Sequence, residues 1–233
     1  MKTIGLIGGM SWESTVTYYQ VINEAVKSEL GGLHSAKILL YSVEFAEIEH
    51  CQAVGDWDKS ADILSDAALR LEQAGADFIL ICTNTMHKVA DKVQSCISIP
   101  LIHIAKVTAE VLKQNNITKA ALLGTKYTMT QDFYKEKLNE AGISVLIPDE
   151  ASIEIVNSVI FDELCRGVVS EQSKRKYLNI IDELAGQGAQ GVIFGCTEIG
   201  LLINPEDTPL PVFDTAQIHA KQAAVLALSE EVG

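Results

Sequence analysis

Two stretches of this chain echo each other, and the echo limits the folds open to it. Gly75-Ala76-Asp77-Phe78-Ile79-Leu80-Ile81-Cys82-Thr83-Asn84-Thr85 and Gly188-Ala189-Gln190-Gly191-Val192-Ile193-Phe194-Gly195-Cys196-Thr197-Glu198 share one order. A Gly-Ala turn leads into an apolar run, which ends in a cluster of thiol and hydroxyl groups. Apolar runs of this length and β-branched content suit buried parallel strands. The second stretch follows the first by about 113 residues, which sets Cys196 opposite Thr83 and Gly195 opposite Cys82. Thr3–Gly8 and Lys119–Gly124 form a second pair, about 116 residues apart. Two half-chains of similar local order predict two similar lobes, each presenting a polar strand end, with the site between them.

The chain between these landmarks alternates strands and helices. Strands are expected at residues 3–8, 36–43, 76–82 and 99–104, then at 119–124, 143–147, 190–195 and 209–213. Helices are expected at 11–29, with Ser11 as N-cap and Gly31-Gly32 as terminator, at 57–73, and from Thr85 to Ser95. Further helices are expected at 105–115, after a Thr125–Thr128 lead-in to about Glu140, at 151–166, 171–186 and 215–230, and residues 44–52 read as a loop. Alternation of this kind predicts an α/β fold with parallel sheets flanked by helices. The lobes are expected at 1–100, with 211–233 packing back on it, and at 101–210, related by a pseudo-two-fold axis.

The net charge of −13 argues against a nucleic-acid footprint, which needs a clustered basic surface. It also means that an acidic ligand must be held by local donors. No apolar run approaches the roughly 20 residues of a membrane span, and the start of the chain does not read as a signal peptide. The five cysteines, Cys51, Cys82, Cys96, Cys165 and Cys196, include no C-x-x-C pair and no metal-ligand spacing. An odd count without an export signal points to a reducing cytoplasm. Only Cys82 and Cys196 end a strand beside polar residues, so only they are candidates for chemistry.

Gly8-Gly9-Met10 closes the first strand but lacks the G-x-G-x-x-G spacing of a dinucleotide site. Its glycines instead let backbone approach a small ligand closely. Cys196 runs into Thr197-Glu198-Ile199-Gly200; a helix starting there would favour the thiolate through its dipole. A thiol near neutral pKa can exchange a proton with carbon or attack a carbonyl.

Gly8-Gly9-Met10, Asn84-Thr85-Met86-His87, Leu122-Leu123-Gly124-Thr125 and Gly195-Cys196-Thr197-Glu198, in this order and spacing, resemble the cofactor-independent aspartate/glutamate racemases over essentially the whole chain. The resemblance implies a pyridoxal-independent isomerase without metal or cofactor, usually a homodimer. Its substrate is a small amino acid, whose α-proton leaves one face and returns on the other. Cys196 is then the base for the L-enantiomer. The family's other cysteine precedes Asn-Thr, where this chain has Thr83. Cys82 lies one residue earlier, and alternation along a strand turns it toward the core. A hydroxyl is a poor base at neutral pH, so faster turnover from L than from D is expected. Gly9, Met10, Gln52, Asn84, Thr85, Thr125, Thr128, Cys165, Thr197 and Glu198 are the expected substrate-binding residues. The positions where strict aspartate enzymes are expected to carry Arg and Lys fall near Glu47 and Cys165 in this chain, neither cationic, which implies tolerance of neutral side chains; Gln52, Lys88, His103, Lys106 and Arg166 are the nearby candidates to substitute. His87, read as a helix-surface residue, is taken as structural. Competing readings are a cis–trans isomerase or decarboxylase of small diacids using Cys196 as nucleophile, and a non-enzymatic amino-acid-binding protein.

Overall fold

The strand Thr3–Gly8 (β1) is apolar at Ile4, Leu6 and Ile7, and all three are fully buried, so both of its faces must be covered. The computed structural model describes residues 1–229. The chain divides into two compact units, Met1–Ile104 with the chain from Ala216 on, and Ala105–Thr215.

In the first unit β1 is followed by α1 (Trp12–Leu30), β2 (Lys37–Ser42), α2 (Phe45–Val54), α3 (Trp57–Gln73), β3 (Phe78–Ile81), a 3-10 turn (Thr85–Val89) and α4 (Ala90–Cys96). Its sheet is parallel, in the order β2-β1-β3. One face packs Ile4, Leu6, Phe78, Leu80 and Cys82 against Tyr18, Val21 and Ile22 of α1 and against a row of alanines from Ala216 to Ala227. The other face packs Ile7, Ile79 and Ile81 against α3 and α4. Small alanine side chains let a helix lie close to the sheet, which suits a core built from β-branched residues.

The second unit holds α5 (Ile104–Gln114), β4 (Lys119–Gly124), α6 (Lys126–Thr130), α7 (Asp132–Glu140), β5 (Ser144–Leu146), α8 (Glu150–Ser158), α9 (Glu171–Gly186), β6 (Val192–Gly195) and β7 (Val212–Asp214). α10 (Thr215–Leu228) carries the alanine row back to the first unit. The second sheet is also parallel, in the order β5-β4-β6-β7. The leading strand of each half, β1 or β4, therefore lies at the centre, with the strand of the repeated motif on one side. Right-handed crossovers over a parallel sheet produce this order repeatedly.

Five expectations need correction. The helix expected from Thr85 to Ser95 opens as a 3-10 turn and is α-helical only from Ala90. Residues 44–52 are not a loop: Glu44 caps α2 by accepting the Ala46 amide at 3.1 Å, and Gly55 closes it in the left-handed region. The strand expected at 99–104 shrinks to one bridge, Leu101 to Ile79, because Pro100 has no N–H to give and α5 begins at Ile104. The lead-in expected at Thr125–Thr128 is itself helical as α6, and the helix expected beyond it to Glu140 is interrupted at Gln131, which is extended. The helix expected over 151–166 ends at Ser158 and continues as a π turn (Val159–Glu163) and a 3-10 turn (Leu164–Arg166). Among the described residues no helix is long and apolar enough to cross a membrane.

Candidate active site

In a parallel α/β sheet the chemistry gathers beyond the carboxyl ends of the strands. In the first unit those ends are Gly8-Gly9 on β1 and Cys82-Thr83 on the adjacent β3, where the Cys82 amide still donates to the Ile7 carbonyl at 2.9 Å. Gly9 has φ +92°, and a Cβ there would lie 2.3 Å from the Val43 carbonyl oxygen. Its amide donates to Thr15 Oγ1 at 2.8 Å, and Thr15 hangs from Ser11, the cap of α1. Thr15 escaped the sequence reading; its position four residues after the capping Ser11 was the available signal.

Alternation on β3 separates its two terminal side chains. Cys82 follows Phe78 and Leu80 into the core, where burial pushes its thiol far above the usual range. Thr83 takes the opposite parity and is partly exposed. Asn84 and Thr85 are buried in the turn that follows. Met10 is buried, and Gln52 directs its amide to the Met86 sulfur at 3.0 Å. His87 is not on a helix surface. It is 3% exposed, donates from Nδ1 to the Thr83 carbonyl at 2.8 Å, and accepts the Ile104 amide at Nε2 at 3.1 Å.

The second unit repeats the plan. Gly124 ends β4 beside Gly195 of β6, so close that a Cβ on Gly124 would lie 2.9 Å from the Gly195 carbonyl oxygen. Thr125 caps α6 by accepting the Thr128 amide, and the two hydroxyls lie 3.2 Å apart. Thr128 is fully buried, so it reaches outward only through Thr125. Cys196 follows Val192 and Phe194 in parity and is partly buried, with Cys165 packed against the same core cluster.

Cys196 is not the dipole-stabilised thiolate expected from its sequence. The first helical element after it is one 3-10 turn, Ile199–Leu201. Burial, the Glu198 carboxylate and then Cys165 hold the thiol well above its usual range. Its Sγ–H donates to Glu198 Oε2 at 3.0 Å, and the Thr197 hydroxyl donates to the same oxygen at 2.8 Å. Glu198 is itself buried. The resting pair is a thiol with a proton acceptor already in contact, which is the geometry of an activated nucleophile or base.

Lys88, Arg166 and His103 each have a partner of their own. Lys88 stacks its ammonium 4.0 Å above the Trp57 ring, Arg166 faces Asp162 at 3.8 Å, and His103 packs against His87. Lys106 lies on α5. Glu47 pairs with Lys59 at 3.0 Å. Among the described residues no three or more His, Cys, Asp and Glu side chains are grouped so as to hold a metal ion.

Comparison with known proteins gives this geometry a family. The sequence model described as Asp/Glu/Hydantoin racemase matches residues 7–223. The broad specificity amino-acid racemase of Bacillus subtilis (strain 168) is 24% identical over 94% of this chain and 95% of its own. A crystal structure described as a candidate Asp/Glu racemase from Yersinia pestis superposes with a TM-score of 0.93 at 56% identity, covering 98% of this chain and 100% of that one. An aspartate racemase homologue from Pyrococcus horikoshii OT3 gives a TM-score of 0.87 at 37% identity, over 98% and 100% of the two chains. The chain belongs to the Asp/Glu/hydantoin racemase family and is an isomerase of that kind, an amino-acid racemase.

Proposed function

We propose that this racemase moves an α-proton between two protein groups on opposite faces of a bound amino acid, without pyridoxal or metal. Cys196 takes the proton from the L-enantiomer, and Thr83 serves the other face. The observation that carries this reading is the Cys196–Glu198 contact at 3.0 Å. A thiol held above its usual range is a strong base once ionised, and Glu198 is placed to take its proton. The zwitterion's ammonium would then favour the thiolate by its opposite charge.

An α C–H is a weak acid, so the developing carboxylate charge needs preorganised donors. Asn84 and Thr85 beside Thr83, and Thr125 and Thr197 beside Cys196, are assigned to that work. Gly9, Met10 and Gln52 line the first strand end, while Thr128 supports Thr125 and Cys165 flanks Cys196. Thr83 lacks the thiol's basicity, so kcat from L exceeds kcat from D. Enantiomers have equal free energy, so KM must compensate and kcat/KM is the same in both directions. The positions where an arginine and a lysine are expected fall near Glu47, already paired with Lys59, and Cys165, and neither is cationic, which supports turnover of neutral side chains beside Asp and Glu. The enzyme is assigned to the cytoplasm as a homodimer, on its odd cysteine count and on the habit of the family.

Proton NMR in D2O tests the reading without added pyridoxal. Loss of the α-proton signal from L- and D-aspartate, glutamate and a neutral homologue is compared in wild type, Cys196→Ala and Thr83→Ala. Exchange that requires Cys196 and has the higher kcat from L is expected. Equal kcat in both directions refutes the role of Thr83, and activity confined to acidic substrates refutes the tolerant pocket.

A further inference from the structure

Three buried histidines of the first unit group around one of them, His87, which contacts the Thr83 carbonyl. Ring centroids of His87 and His103 are 4.7 Å apart, and those of His87 and His219 are 5.7 Å apart. Every ring nitrogen of His87 and His219 has a defined partner. His219 Nε2 faces the Ile102 carbonyl at 2.8 Å, so it carries the proton, and Nδ1 accepts the Tyr18 hydroxyl at 2.8 Å. His87 Nδ1 faces the Thr83 carbonyl, so it carries the proton, and Nε2 accepts from Ile104. Partners of this kind fix the tautomer and orientation of a ring.

We propose that His87 is a positioning residue for proton transfer at Thr83: its Nδ1–H holds the Thr83 carbonyl and so aims the hydroxyl. The bond from His87 ties the Thr83 carbonyl to a buried ring of the same unit. The repeat makes the contrast plain. Shifted by about 113 residues, His87 falls on Gly200 and Thr85 on Glu198. The second unit therefore grips the reactive side chain of Cys196 directly through Glu198, whereas the first grips the backbone of Thr83 through His87. A reacting group displaced by about 1 Å loses up to about 100-fold in rate, so the grip bears on turnover. This assignment rests on the proposed role of Thr83.

Two substitutions separate the two ring nitrogens. His87→Asn keeps an amide donor near the Nδ1 position, and His87→Gln keeps a polar atom near Nε2 but loses the donor to Thr83. Each face is read alone with β-chloro-L-alanine and β-chloro-D-alanine. Removal of the α-proton expels chloride from the neighbouring carbon, and the aminoacrylate left behind hydrolyses to pyruvate and ammonium. No second proton transfer from the opposite face is needed. The Gln variant should release chloride from the D-enantiomer roughly tenfold more slowly while staying within about twofold on the L-enantiomer, and the Asn variant should restore the D rate. Equal losses on both enantiomers, or no loss on either, overturn the assignment. So does a wild-type side-chain nitrogen-15 spectrum with His87 protonated on Nε2, whatever the variants do; protonation on Nδ1 supports it. A wild-type protein that exchanges no α-proton from any amino acid refutes the reaction itself, which the chloride ratio in an active enzyme does not.

Discussion

Lowering the pH from about 7.5 to about 5 should weaken the first unit through its buried histidines. Burial holds His87 at about 4, against the ordinary 6.5, despite hydrogen bonds that favour the charged ring. Burial and the neighbouring His87 hold His219 at about 3. Both folded values lie below the unfolded one, so the neutral rings stabilise the fold fully above pH 6.5 and lose that contribution as pH falls toward the folded values. At about pH 5 an unfolded ring is charged and a folded one is not. The drop of about 1.5 units below 6.5, at about 1.4 kcal/mol per unit, removes about 2 kcal/mol for each ring and about 4 kcal/mol for the pair. That is a large part of a typical stability of about 5–15 kcal/mol. Tyr18 and His103 complete the buried polar group around these rings, and His34 and His50 are exposed. Carboxylates held below their usual values, such as Glu72 and Asp207, respond at lower pH, so the window isolates the histidines. Both tryptophans, Trp12 and Trp57, lie in the first unit, so fluorescence-detected urea unfolding reports on it alone. His219→Gln keeps a donor for the Ile102 carbonyl and cannot charge, so it should lose only about half as much stability over the same window. Equal losses in wild type and variant would refute the reasoning.

Other predictions concern the strand ends. Cys82→Ala should cost about 1–2 kcal/mol by leaving a small cavity, yet keep racemase activity, as thermal unfolding and a coupled assay would show; loss of activity in a folded protein would count against the core assignment of Cys82. Gly9→Ala forces a side chain into the left-handed region and against Val43, and a loss of several kcal/mol with activity abolished is expected. Glu198→Gln removes a carboxylate that raises the Cys196 thiol, so iodoacetamide labelling of Cys196, followed by peptide mass spectrometry, should begin at lower pH while racemisation slows. Labelling that moves to higher pH would contradict the reading that Glu198 holds the free enzyme's thiol above its usual range.

The strand ends were legible in the sequence because buried parallel strands need continuous apolar runs, and the parity of Cys82 and Thr83 follows from alternation once the run is placed. The order β2-β1-β3 of the first sheet recurs as β5-β4-β6 in the second. What escaped was set by partners distant in sequence or unusual in type. The loop expected at 44–52 is a helix because a glutamate caps it, a role more often taken by Ser, Thr, Asp or Asn. His87 looked like a surface residue because its partners, Ile104 and the ring of His219, lie 17 and 132 positions away.

The misjudgement of Cys196 has the most chemical weight. A strand running into Thr-Glu-Ile-Gly suggested a helix dipole and a ready thiolate, but the turn is too short to supply one and the nearest charge is negative. A thiolate stable at rest would be a weak base toward carbon, since basicity falls with pKa. A thiol held high by burial and by Glu198 stays protonated until substrate arrives, then becomes the stronger base once a cationic ammonium offsets the carboxylate. The apparent defect thus suits proton abstraction better than the arrangement it replaced. It also predicts that labelling of Cys196 should be slow in the free enzyme at neutral pH. Rapid labelling of the free wild-type enzyme at pH 7, compared with an accessible control thiol such as Cys96, would contradict the resting thiol.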